Sequence, residues 1–157
     1  MAIIREYRAK LEENGLFYLA ESGQFRAESR RVNSTKAAAD LFLHAFKLQE
    51  EADEHLIAIV LNAAGDVIGA FRATAGGING VPFDVGGVVR KALLLNGVSV
   101  ILAHNHPGGT PRPSSEDLNA TEAVKKALEL VGLRLLDHII VTSAGVYTSF
   151  REDGYLD

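Results

Sequence analysis

The sequence contains no cysteine. No disulfide can form, and nothing in the chain calls for an oxidising compartment. A chain of 157 residues can do without such staples, because it buries roughly 70% of the surface its unfolded form exposes. Long apolar runs are also missing, and none approaches the ~20 residues of a bilayer-spanning helix. The first residues, Met-Ala-Ile-Ile-Arg-Glu-Tyr-Arg, carry no extended apolar leader. These features predict a cytoplasmic protein with no membrane partner. A basic surplus is lacking too: 16 Lys and Arg face 20 Asp and Glu, for a net charge of −4. Proteins dedicated to nucleic acid usually carry a basic excess or stripe. The nearest approach, Arg26, Arg30 and Arg31 interleaved with Glu28, reads as a solvated surface segment. Nucleic acid is therefore disfavoured as a partner. A hydrophobic share of 47% against 23% charged excludes a disordered chain.

Residues 1–31 have weak periodicity and are expected to form an N-terminal arm or flap. A short helix over Ala2–Glu13 ending near Asn14-Gly15, then a strand at Leu16–Leu19 with a turn at Ser22-Gly23, fits their turn signals. From residue 32 the pattern is clearer. Ser34 can cap a helix whose stripe Ala38, Leu41, Phe42, Ala45 and Phe46 carries it to about Glu51. His55–Leu61 reads as a strand buried on both faces, and Ala64-Gly65-Asp66 turns it into a second strand over Val67–Thr74. After a Gly-rich loop, Asp84 can cap a helix striped by Val85, Val88, Val89, Ala92 and Leu93 and stopped by Asn96-Gly97. Val98–Ala103 is another buried strand and His104–Pro113 a loop. Ser114 caps a helix ended by Gly132, and strands at Arg134–Thr142 and Val146–Phe150 complete the chain. This order predicts, for residues 32–157, an α/β to α+β domain with a mixed β-sheet flanked by helices.

Chemistry concentrates in His104-Asn105-His106-Pro107-Gly108-Gly109-Thr110-Pro111-Arg112-Pro113-Ser114-Ser115-Glu116-Asp117. Side chains two apart on a strand point the same way. Two imidazoles at a strand end can therefore converge on one point about 2.0 Å from each donor nitrogen, as zinc requires. Asp117, in the first turn of the next helix, can fold back over the strand end, where the positive end of the helix dipole favours it. Two His and one carboxylate leave a fourth position for water, the donor count of a catalytic zinc, and without Cys the usual means of completing a structural zinc site is missing. Each residue also has a plainer reading. A His-x-His at a strand end is commonly a surface or hydrogen-bonded pair, and Ser114 and Asp117 are good helix-start residues. The contiguous His-Asn-His is not the HNH nuclease signature, whose three residues are spread over a ββα unit. His44 and His55 read as surface or structural, and His138 as a satisfied core histidine with Asp137 as its partner.

His104, His106, Ser114 and Asp117 resemble the JAMM motif of JAB/MPN-domain metalloproteases. The wider text from Val98 to Val141, within a resemblance covering roughly Val32 to Tyr155, is similar to the RadC-like branch of that superfamily. The resemblance implies a JAB/MPN, cytidine-deaminase-like architecture and a Zn2+-dependent hydrolase of peptide or isopeptide bonds acting on a peptide or protein substrate. It implies His104, His106 and Asp117 as metal ligands, Glu54 as general base and Ser114 as oxyanion donor, with Asp53 the alternative base if the register slips by one. It places the Gly76-Gly77-Ile78-Asn79-Gly80 loop near a substrate groove, where an extended peptide can add to a strand edge. Two positions depart from the family pattern: Gly108 where Ser is common, and Asn62 where the first strand commonly ends in Asp. The alternative is a catalytically silent JAB-fold scaffold associated with DNA repair, the label the RadC branch carries, or with mobile elements.

Overall fold

A computed structural model describes residues 1–74 and 84–157. The Gly76–Gly80 loop, with the peptide-binding expectation attached to it, lies outside the described residues. Seven strands form one mixed sheet in the order β2-β1-β4-β3-β5-β6-β7: β1 (Ala2–Leu11), β2 (Phe17–Ala27), β3 (Leu56–Leu61), β4 (Val67–Thr74), β5 (Ser99–His106), β6 (Arg134–Thr142) and β7 (Tyr147–Ser149). The β1–β4 and β5–β6 pairs are parallel and the other pairs antiparallel. The helices are α1 (Thr35–Asp40), α2 (Val85–Leu94) and α3 (Ser115–Leu130). The mixed sheet flanked by helices is the α+β architecture expected.

Every residue of β3 is buried, as are all of β5 but His106. Two cores account for this. On one face Ile57, Ile59, Ile101, Ala103 and Ile139 pack against Leu41, Phe42 and Phe46. On the other, Ala58, Val60, Val100, Leu102 and Ile140 pack against Val88 and Ala92 of α2 and Val124 and Leu128 of α3. A strand covered on both sides cannot alternate apolar with polar, which is why these segments read as continuous apolar runs.

Four local expectations are corrected. Residues 2–11 are a strand, not a helix: β1 pairs with β2 along its whole length, and Gly15 turns the hairpin at φ 80°. Its weak local pattern is overridden by the partner strand, which supplies the hydrogen bonds a helix would have made internally. Ser22-Gly23 is not a turn but an irregularity within β2, where the register passes from Glu6↔Gly23 to Tyr7↔Glu21. The helix capped by Ser34 does not run to Glu51. It ends at Asp40 and widens into a π turn over Leu41–Ala45, with Phe46 N–H donating to the Leu41 carbonyl at 3.0 Å. The extra residue in that turn brings Leu41, Phe42, Leu43 and Phe46 all into the core. Finally, His104–His106 are not in the loop. They continue β5, paired with Ile140, Val141 and Thr142 of β6.

Candidate metal centre

The central register assembles the site. Because β3 runs antiparallel to β5 with Leu56 opposite His104, the residues just before β3 lie beside the C-terminal end of β5. Glu54 thereby meets a strand end that follows it much later in the chain. The connection from β5 to α3 then brings back Asp117. At that corner Ser114 and Asp117 form a reciprocal cap: the Ser114 hydroxyl oxygen accepts the Asp117 N–H at 3.0 Å, and Asp117 Oδ2 accepts the Ser114 N–H at 2.9 Å. The cap fixes the Asp117 carboxylate at the N-terminus of α3 and leaves the Ser114 hydroxyl proton available to another acceptor.

Glu54, His104, His106 and Asp117 each offer a ligand atom within 4.8 Å of the others. Nε2 of His104 lies 3.3 Å from Asp117 Oδ1, and Nε2 of His106 lies 3.2 Å from Asp117 Oδ2. The two Nε2 atoms are 2.8 Å apart. Donors about 2.0 Å from one tetrahedral ion stand roughly 3.3 Å from one another; the imidazole-to-carboxylate distances match this and the Nε2–Nε2 distance is shorter, so these three side chains converge closely enough to hold a single cation. Two imidazoles and a carboxylate are also a donor set zinc accepts. Glu54 Oε1 stands farther off, 3.9 Å from His104 Nε2, with its side chain half exposed.

The protonation of these groups follows from their partners. Burial alone would raise the pKa of Asp117. The imidazoles of His104 and His106 beside it, the charge of His104 and the Ser114 N–H outweigh burial and hold the carboxyl far below its ordinary range. Burial would lower His106, but Asp117, the Thr110 carbonyl and Glu54 raise it. The Thr110 carbonyl, 2.8 Å from Nδ1 of His106, can only accept. Nδ1 therefore carries hydrogen and Nε2 is the nitrogen that can offer a lone pair to a cation.

Residues 32–155 match the RadC-like JAB domain. The chain belongs to that family. It is 38% identical over 129 residues to a UPF0758 protein of Clostridium acetobutylicum, covering 82% of this chain and 55% of that protein. It is 45% identical over 107 residues to one of Aquifex aeolicus, covering 68% of this chain and 46% of that one. A third, from Enterococcus faecalis, is 34% identical over 151 residues, 96% of this chain and 62% of the relative. The chain thus spans about half the length of the curated relatives it matches. In this RadC-like domain the carboxylate that joins the cluster is Glu54, while Asp53 offers its backbone carbonyl to Asn105 Nδ2 at 2.9 Å.

Three polar residues around the cluster were not foreseen as part of it. Asn105, buried on the opposite face of β5 from the two imidazoles, accepts the His55 N–H at 2.7 Å and donates to the Glu51 and Asp53 carbonyls. It ties down the segment that carries Glu54. Strand alternation would have placed it there, since it is one residue out of phase with both His. Thr121 lies four residues after Asp117, on the same face of α3, and hydrogen-bonds to His138. His138 is a fully buried histidine, as expected, but Asp137 is not its ring partner. A register shift at Leu136 precedes this pair, and the Asp137 carboxylate instead accepts the Ser149 hydroxyl and the His138 and Arg151 backbone N–H groups. Burial raises Asp137, the three donors only partly offsetting it. The expected surface position of His44 holds, while His55 packs beside Arg72 and Glu51. Neither departure from the family pattern distorts the site. A Cβ at Gly108 would meet nothing within 4 Å, and Asn62 turns the β3–β4 hairpin by accepting the Ala64 and Asp66 N–H groups.

Proposed function

We propose that this domain is a zinc-dependent hydrolase of peptide or isopeptide bonds, with His104, His106 and Asp117 as ligands. The observation that carries the reading is the convergence of three donor side chains, two imidazoles and the Asp117 carboxylate, with a second and more distant carboxylate, Glu54, beside them. Three protein donors are the count of a catalytic rather than a structural zinc. An ion held there supplies a water with its pKa brought to about 7 and a Lewis acid for the scissile carbonyl. Glu54, half exposed at the rim, takes up a proton at Oε1 from the attacking water and returns it to the leaving amine. The Ser114 hydroxyl, its oxygen engaged in the cap and its proton not spent there, stabilises the developing oxyanion, a contribution of ~3 kcal/mol for a single such donor. The substrate in this reading is a peptide or protein strand, and the location is cytoplasmic. Among the described residues no helix is long and apolar enough to cross a membrane.

The test is zinc uptake by the purified chain followed by hydrolysis of a peptide and isopeptide library. One tightly held zinc with cleavage is expected. Failure to take up zinc on titration overturns the reading. Tight zinc without cleavage of any member would favour the scaffold alternative.

A further inference from the structure

Behind the candidate ligands a hydrogen-bonded chain runs through the interior, and its proton directions are fixed from one end. The Thr121 hydroxyl lies 2.6 Å from the Asp117 backbone carbonyl. A carbonyl can only accept, so Thr121 spends its single proton there. Thr121 Oγ1 is also 2.7 Å from Nδ1 of His138. With its proton committed, the hydroxyl must accept, and Nδ1 of His138 must carry the hydrogen. Nε2 of a neutral His138 is then an acceptor, and it lies 2.7 Å from Nδ1 of His104. His104 must therefore hold its hydrogen on Nδ1, leaving the lone pair on Nε2, the atom that faces His106 and Asp117.

We infer that Thr121 and His138 are positioning residues that lock His104 in the one tautomer able to ligate a cation. The fold supports the arrangement at both ends. His138 lies opposite Leu102 on β6, one diagonal step from His104. Its ring is fully buried and stacks on Phe150 at 4.5 Å between centroids, and a flipped ring would give up both the Thr121 and the His104 hydrogen bonds. Thr121 begins the relay on the carbonyl of Asp117, itself a candidate ligand. The path thus starts from the backbone of one candidate ligand and ends on the ring of another. His106 is held in the same tautomer by a separate carbonyl, that of Thr110. Partners of this kind commonly change metal affinity by 10–100-fold when removed.

The inference rests on the zinc reading of the cluster, and the experiment separates the two. Long-range proton–nitrogen NMR of the metal-free wild type at mildly alkaline pH reads the His104 tautomer directly, and chelator competition reads zinc affinity. Hydrogen on Nδ1 of His104 is expected, as is a loss of about 10–100-fold in zinc affinity for Thr121→Val and His138→Phe. Thr121→Val keeps the side-chain shape, so it reports on the relay even if His138→Phe folds poorly. His138→Gln, whose amide can accept from His104 and donate to Thr121, should recover most of the affinity lost in His138→Phe. Hydrogen on Nε2 of His104 in the metal-free protein overturns the relay, as do Thr121→Val affinities equal to wild type. A loss in His138→Phe that glutamine fails to recover, with the His104 tautomer unchanged, assigns His138 to packing and also overturns it. A wild type that takes up no zinc while showing hydrogen on Nδ1 overturns the zinc reading and leaves the relay standing.

Discussion

Glu54 Oε1 stands 3.9 Å from Nε2 of His104, whereas the Asp117 oxygens reach the two imidazoles at 3.2 and 3.3 Å. One carboxylate sits at binding distance and is held by a helix cap; the other stands back, half exposed, on a segment that precedes β3. The difference predicts a split in mutant behaviour. Glu54→Gln should leave zinc affinity within a few-fold of wild type and lower hydrolysis by about 10²–10⁴-fold. Asp117→Asn should lose zinc binding itself. Chelator competition and turnover on the same preparations check both, and an active Glu54→Gln removes Glu54 from the proposed mechanism.

Asn105 makes three hydrogen bonds from a buried position to the Glu51–His55 segment. Asn105→Ala leaves the Glu51 and Asp53 carbonyls and the His55 N–H without that partner, a cost of about 2–3 kcal/mol. Denaturant unfolding should show that loss. Hydrogen exchange should speed up at residues 51–55 in particular, because the segment is loosened while β5 stays paired on both sides.

Gly97 follows α2 where the chain passes close to β3. A Cβ there would collide with Val60 Cγ1 and come within 3.2 Å of the Ala92 carbonyl. Gly97→Ala should destabilise by about 1–3 kcal/mol, since Val60 is stiff and fully buried. Gly108→Ser, where a Cβ meets nothing, should stay within about 0.5 kcal/mol of wild type. Melting curves of the two variants should separate clearly.

The metal-free protein should lose stability on acidification through His138. Complete burial, and then the charge of His104, hold its pKa well below the ordinary 6.5. Between those two values the unfolded chain binds a proton that the folded one does not. Unfolding free energy therefore falls as pH drops below about 6.5, by up to ~1.4 kcal/mol per pH unit from this group. His106 has the opposite shift, so its contribution is full below 6.5 and is lost as pH rises through its raised value. In denaturant titrations of chelator-treated protein, His138→Gln should flatten the slope below pH 6.5 and leave the slope above it unchanged.

Much of the candidate cluster is legible in the sequence, because its logic is local: His104 and His106 share a face by strand alternation, and Asp117 falls in the first helical turn after them. Glu54 came from family resemblance alone, since nothing local marks one carboxylate in Glu50-Glu51-Ala52-Asp53-Glu54 as the partner of a strand end far along the chain. What selects it is the β3–β5 register, a long-range property. The same reason hid β1, whose strand character comes from its pairing with β2 and not from its own pattern. The relay was hidden differently. His138 looked like an ordinary buried residue, and the register shift at Leu136 broke the parity that would have shown which side of the sheet it and Asp137 take.

Opposition of Leu56 to His104 at the middle of the sheet has one more implication. Any slip of β3 against β5 by a single residue would exchange the two faces of the strand and carry Glu54 out of reach. A cation bound by His104, His106 and Asp117 has no ligand on β3, so it clasps β5 to α3 and stabilises the folded domain by mass action, while the β3–β5 register alone decides whether Glu54 stands beside it. Zinc should on this account raise the melting temperature, and a slipped β3 should bind the ion and still fail to turn over substrate.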